Sequence, residues 1–156
     1  MEPGSAPHTP HTTQARQIDL LLSKYSESHL NPTNELIHCV CVPAIVLSFL
    51  GLIWAAHPLA ALLVTVVSLV YYMSLSVSFA IGMLAMSASM LWVLSQLPQQ
   101  WMWQISLGIF VVAWIGQFIG HKIEGKKPSF FDDLRFLLIG PLFVLGVLFR
   151  RLRIAY

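Results

Sequence analysis

Three histidines stand where this chain could do chemistry: His29, His38 and His121. The last belongs to a series, Trp114, Gln117, His121 and Glu124, at offsets of three, seven and ten, which is one face of a helix. The residues between are mostly apolar, so the series is a polar stripe on a hydrophobic helix. Polar and ionisable groups at membrane depth are expensive and turn inward to find partners. Three imidazoles with Gln117 and Glu124 nearby make a nitrogen-rich set: imidazole suits Fe, Zn, Cu and Ni, and a carboxylate either ligates or orients a ring. A plainer reading fits the same residues, as polar side chains at headgroup level with Glu124 in a solvated loop beside Lys122, Lys126 and Lys127. Tyr25, Asn34 and Asp132 or Asp133 are further candidates. Spacing alone names no reaction.

The charge pattern says what kind of frame must hold these residues. From Leu36 to His121 there is no Asp, Glu, Lys or Arg, in a chain that is 56% hydrophobic. A soluble domain needs charges on every exposed face, so this stretch requires lipid as its solvent. At ~20 residues per crossing it holds about four helices, and a further apolar run follows from Leu134 to Phe149. The expected fold is an all-α integral membrane protein with about four transmembrane helices, an N-terminal amphipathic helix and a C-terminal hydrophobic segment broken by Gly140-Pro141. Residues 1–15, with Pro3, Pro7 and Pro10, read as a mobile tail, and 16–156 as one helical membrane domain. The opening from Met1 to His11 has no apolar run ending in a cleavage site, so the first apolar helix is expected to stay in the protein.

Ile18, Leu21, Leu22, Tyr25 and His29 follow at helical spacing, an amphipathic helix for the membrane surface with His29 on its apolar face. Asn31 is a plausible N-cap, with Pro32 at the first helical position. Crossings are expected over roughly 34–56, 58–74, 76–97 and 101–121, with breaks at His57-Pro58, between Tyr71 and Ser78, and around Pro98. Pro43 should kink the first. Trp54, Tyr71, Tyr72, Trp92, Trp101 and Trp103 fall near helix ends, where amphipathic rings favour the interface. Cys39 and Cys41 have no disulfide geometry at their C-x-C spacing on a helix and read as small packing residues.

Arg16 and Lys24 precede the first crossing, and Lys122, Lys126 and Lys127 follow the fourth, so four crossings bring both groups to one side, the cytoplasmic one. A fifth crossing would strand Arg150, Arg151 and Arg153 outside. The last run is therefore read as two half-helices that dip into the bilayer and return. This topology leaves His8 and His11 in the tail and His57 at the opposite surface, while His29, His38 and His121 share the cytoplasmic boundary. A net charge of +2 gives no reason to expect nucleic acid.

Two blocks carry a resemblance: Tyr25, His29, Asn34 and His38 as Y-x3-H-x4-N-x3-H, and Trp114, Gln117, Phe118, Gly120, His121, Glu124 and Pro128 as W-x2-Q-F-x-G-H-x2-E-x3-P. Together with the later F-x-D-x-L…G-P-x-F-V pattern from Phe130 to Val144, they resemble the 2-hydroxy fatty acid dioxygenase family over most of residues 20–148. The resemblance implies an Fe(II)-dependent enzyme of fatty acid α-oxidation that uses O2 to shorten a 2-hydroxy fatty acid by one carbon. It implies His29, His38 and His121 as iron ligands. Asn34, Tyr25, Gln117 and Glu124 are then the catalytic candidates, the last two orienting an imidazole. Lys122, Lys126 and Lys127 would attract the substrate carboxylate, with Trp114 beside them. The chain departs from many relatives at Gly146, where they place a Glu. The expected location is a bacterial inner membrane, or the endoplasmic reticulum in a eukaryote, with room for a homo-oligomer. Two other functions fit the residues: a haem-binding electron carrier, and a small transporter or scaffold whose polar stripe lines a path or joins helices.

Overall fold

The computed structural model describes residues 16–128 and 135–154, and every regular element among them is helical. The N-terminal tail with His8 and His11, and the pair Asp132 and Asp133, lie outside the described residues. Helix α1 covers Gln17–Ser26, α2 Pro32–Ala56, α3 Pro58–Leu75, α4 Val77–Gln96, α5 Met102–Glu124 and α6 Phe136–Leu152, with a 3₁₀ turn at Gln99–Trp101. Four spans, Pro32–Ala56, Pro58–Leu75, Val77–Gln96 and Gln99–Glu124, are long and apolar enough to cross a membrane.

Local chemistry sets the breaks. The Asn31 side chain accepts the Thr33 N–H at 2.9 Å, with Pro32 next to it opening α2. At the far end, the His57 ring nitrogen accepts the Leu59 N–H at 3.2 Å and Pro58 opens α3. Ser76 and Leu97 take extended backbone and end α3 and α4. Gly125, at φ 74°, adopts the left-handed conformation that closes α5 immediately after Glu124. Leu, Val, Ile and Trp side chains such as Leu63, Val70, Trp92 and Val112 cover the outer faces of the bundle; such faces suit lipid.

Three sequence expectations are corrected. First, α1 stops at Ser26, so His29 is in the turn before α2 rather than on the helix; N–H groups of Ser28 and His29 bond Tyr25 and Ser26 carbonyls and tighten this turn. Second, the C-terminal run is one helix through Gly140-Pro141 and not two half-helices. Pro141 only removes the donor for the Leu137 carbonyl, and the break is tolerated inside packed protein. Third, Tyr72 is buried, its hydroxyl donating to the Leu138 carbonyl at 3.0 Å, so it fastens α3 to α6 instead of sitting among headgroups.

Helix α6 stays at the end of the bundle that carries the lysines and arginines, the basic face. Near its start Phe136 meets Tyr25, near its middle Phe143 meets Tyr25 and His29, and near its end Phe149 meets Phe79 in the first turn of α4. Arg150, Arg151 and Arg153 therefore remain on the face of Lys122 and Lys126. With α1 on its outer side, α6 forms a core of Ile18, Tyr25, Phe79, Ile139, Leu142 and Phe143. A second, smaller core of Leu50, Leu94 and Met102 closes the opposite end.

Candidate metal centre

Three elements deliver one histidine each: His29 from the α1–α2 turn, His38 from the second turn of α2, and His121 from the last turn of α5. All three are buried, at 5%, 1% and 5% exposure. Their ring centroids are 4.1 Å (His29–His38), 5.2 Å (His29–His121) and 4.9 Å (His38–His121) apart. One nitrogen from each lies within 4.8 Å of the other two. Nδ1 of His29 bonds the Tyr25 carbonyl at 2.7 Å, and Nδ1 of His38 bonds the Asn34 carbonyl at 3.0 Å.

A carbonyl only accepts, so both Nδ1 atoms carry the proton and both Nε2 atoms present lone pairs. Those two Nε2 atoms face each other at 2.8 Å. Two acceptors at that distance repel unless a cation lies between them, and metal–imidazole bonds of about 2.0–2.1 Å let one ion reach both. His121 Nδ1 is buried with no hydrogen-bond partner. Burial holds the His29 imidazole below the usual histidine range, against a smaller upward pull from the Tyr25 carbonyl and Glu124, so the ring is kept in the neutral, ligating form. The donor chemistry fits a metal ion.

Close packing of α2 on α5 brings His38 and His121 together. A Cβ on Gly120 would collide with Asn34 Oδ1, and one on Gly116 would come within 2.6 Å of Cys41 Sγ. The Gly116-x3-Gly120 spacing thus allows the backbones the approach typical of membrane helices. Cys41, free like Cys39, is one of the small residues in that seam.

Glu124 does a different job from orienting a ring. Its carboxylate accepts from the N–H groups of Leu30 and Asn31 at 3.0 and 2.9 Å, and from Asn34 Nδ2 at 3.1 Å. Its charge lies at the positive end of α2, just ahead of the Asn31 cap, and it ties the turn that carries His29 to α5. Asn34 Nδ2 also donates to the Ser28 carbonyl at 3.2 Å, and Lys126 Nζ to the Glu27 carbonyl at 2.6 Å. The Tyr25 ring stacks on His29 at 4.3 Å and 9°. Desolvation pushes the Tyr25 phenol well above its usual range, so it stays a donor.

A cavity of about 60 Å³ opens beside His38 and His121, lined also by Tyr25, Gln117, Trp114 and Phe136. Gln117 Nε2 is buried there without a hydrogen-bond partner. Lys122, Lys126 and Lys127 do not line this cavity; Lys122 and Lys126 are exposed outside it. Gly146 faces Arg150 and Phe79, away from the histidines, so a carboxylate at that position would meet Arg150. Sequence reasoning missed Phe136 and Phe143, whose rings pack on Tyr25 and, for Phe143, on His29. Their seven-residue separation, two helical turns on one face, was the signal, hidden by treating Gly140-Pro141 as a break.

Four membrane-length helices with three buried histidines gathered at one end define the class: a helical membrane protein with a candidate metal centre. The chain belongs to the family described as 2-hydroxy-palmitic acid dioxygenase Mpo1-like, whose model matches residues 15–152. It is 29% identical over 132 residues to the 2-hydroxy-palmitic acid dioxygenase MPO1 of Saccharomyces cerevisiae, covering 80% of this chain and 75% of the yeast protein. No solved structure matches it significantly.

Proposed function

We propose that this chain is an Fe(II)-dependent dioxygenase that uses O2 to shorten 2-hydroxy fatty acids by one carbon. The observation that carries the reading is the pair of Nε2 lone pairs of His29 and His38 at 2.8 Å, with His121 beside them, bordering a cavity with an unsatisfied Gln117 amide. His29, His38 and His121 are the residues that would hold iron. Bound there, Fe(II) supplies the redox chemistry that O2 needs to react with an organic acid.

The protein's own groups position the acid. Gln117 Nε2 is a donor lacking an acceptor, which a carboxylate or hydroxyl oxygen provides. The Tyr25 hydroxyl, on the same cavity, is a second donor. Trp114 walls the cavity and keeps water from the reacting carbons. Asn34 and Glu124 fix the His29 turn. The exposed Lys122 and Lys126, with Lys127 next to them, raise the local concentration of a carboxylate before it enters. By the positive-inside rule the basic face is cytoplasmic, which puts the acid head at the boundary and its tail in lipid. The His29 and His38 Nε2 atoms, 2.8 Å apart, are too close to stand on either side of a porphyrin, which counts against a haem electron carrier held by that pair.

The test is metal analysis joined to an assay. Protein purified in lipid nanodiscs and loaded anaerobically with Fe(II) is given 2-hydroxypalmitate and O2, and the acids formed are identified by mass spectrometry. A fatty acid one carbon shorter, made by iron-loaded and not by zinc-loaded protein, is the expected result. No shortened acid from protein carrying one iron per chain would sink the proposal.

A further inference from the structure

Below the histidines lies a larger space to which the proposed reaction assigns no role. Its volume is about 400 Å³, and it shares Ile45, Val46, Trp114 and Leu137 with the small cavity beside His38 and His121. Each spanning helix lines it at two heights. Moving away from the basic face, α2 gives Ile45 and then Leu50, α5 Trp114 and then Phe110, α4 Met83 and then Ser87, and α3 Tyr72 and then Thr65. The space therefore runs along the bundle axis; on α2 it covers Ile45 to Leu50, about 8 Å at 1.5 Å per residue, and taken with the small cavity beside His38 the distance from that histidine to Leu50 is about 18 Å. Leu138 and Pro141 of α6 roof it.

A space of this size offers dispersion contacts to an apolar occupant. Its walls are almost entirely apolar, and the Thr65 hydroxyl is already bonded to the Ala61 carbonyl at 2.8 Å, so no polar head is called for there. It is apolar and, at its end nearer the basic face, adjoins the polar cavity of the candidate metal centre, with which it shares four walls. Helix α5 packs chiefly on α2, with little direct contact to α3 or α4, so its Phe110 and Trp114 face α3 and α4 across this space.

We infer that this axial cavity holds the acyl chain of the substrate, and that Ser87 and Thr65 at its inner end set the longest chain that fits. The inference rests on the substrate class proposed above. A chain that leaves the bilayer for this cavity exchanges one apolar medium for another, so extra methylenes add little binding. Length is read by collision at the inner end, where the lining residue Leu50 passes into the packed core of Leu94 and Met102. Ser87 and Thr65 are buried and are among the smaller side chains in the inner layer, where added bulk shortens the cavity directly.

Two measurements test this. In the first, Ser87→Phe and Thr65→Phe are compared with wild type in competition between 2-hydroxypalmitate and 2-hydroxyoctanoate, with bound iron as the control for folding. The ratio of kcat/KM for the long over the short acid is expected to fall by about tenfold or more in each variant. In the second, a 2-hydroxypalmitate analogue with a diazirine at its terminal carbon is photolysed in wild-type protein, and the adduct is mapped. Labelling at Phe110, Val64 or the adjoining residues of that layer is expected, competed away by 2-hydroxypalmitate. An unchanged ratio in iron-loaded variants, or an adduct on lipid-facing side chains such as Val66 or Val112, overturns the inference. Wild-type protein that shortens no acid but takes the label in the cavity retains the acyl site and loses the reaction. Normal turnover with the label elsewhere retains the reaction and loses the acyl site.

Discussion

Each of the three histidines has a different support, and their replacement should show it. His38 is held by its own helix, through Nδ1 on the Asn34 carbonyl one turn back. His29 is held by a turn that depends on Glu124. His38→Ala removes a proposed ligand and should abolish stoichiometric iron, read by elemental analysis, while the bundle still folds. Glu124→Gln keeps the shape and loses the charge that accepts three donors, one from a side chain and two from backbone. It should lower stability by about 1–2 kcal/mol, seen as a lower thermal midpoint, and weaken iron binding by about tenfold through a looser His29 turn. A Glu124→Gln protein with unaltered iron affinity would remove Glu124 from the positioning of His29. Gln117→Leu should leave iron in place and raise KM for the hydroxy acid, because the donor without a partner belongs to the substrate side of the cavity and not to the rings.

At the scale of elements, the site depends on how closely α2 and α5 approach. Gly120→Ala places a methyl against Asn34 Oδ1, and the helices must part or Asn34 must turn. Either change moves His38 relative to His121 and disturbs the Asn34–Glu124 bond. Overpacking of this kind costs about 1–3 kcal/mol. The expected outcome is a destabilised protein with weakened iron binding, measured by thermal unfolding in detergent and metal titration. Gly108, with open space where its Cβ would be, is the matched control: Gly108→Ala should lower neither. The same scale explains why the two motif blocks lie far apart in sequence yet form one unit. The first supplies the α1–α2 turn and the start of α2, the second supplies the end of α5, and Glu124 joins them.

For the whole molecule, the arrangement predicts one basic face. In a variant with Cys39 and Cys41 replaced by Ala, single cysteines at Lys126 and Arg151 should react with a membrane-impermeant maleimide from the same side of sealed vesicles. A cysteine at His57 should react from the other. Labelling of Lys126→Cys and Arg151→Cys from opposite sides would mean that α6 crosses, contrary to its contacts with Tyr25, Tyr72 and Phe79.

By itself, the sequence determined the number of membrane-length helices, their breaks, and which three histidines share an end. These are consequences of local rules: hydrophobic length, the absence of charge from Leu36 to His121, Pro and Asn at helix starts, and the parity of four crossings. It also limited the last segment, since three arginines cannot easily be left on the wrong side. Only the tertiary structure decided that this segment is one helix laid across the basic face, because whether a proline ends a helix or is carried within it depends on the packing around it, and Pro141, which is buried, is carried within its helix as Pro43 is in α2. Only packing decided that Glu124 binds backbone N–H groups and not an imidazole, since the α1–α2 turn that supplies them is about ninety residues away in sequence. The polar stripe on α5 showed that something had to be satisfied at that end of the bundle. What satisfies each member was a matter of distances between helices, which no single helix encodes.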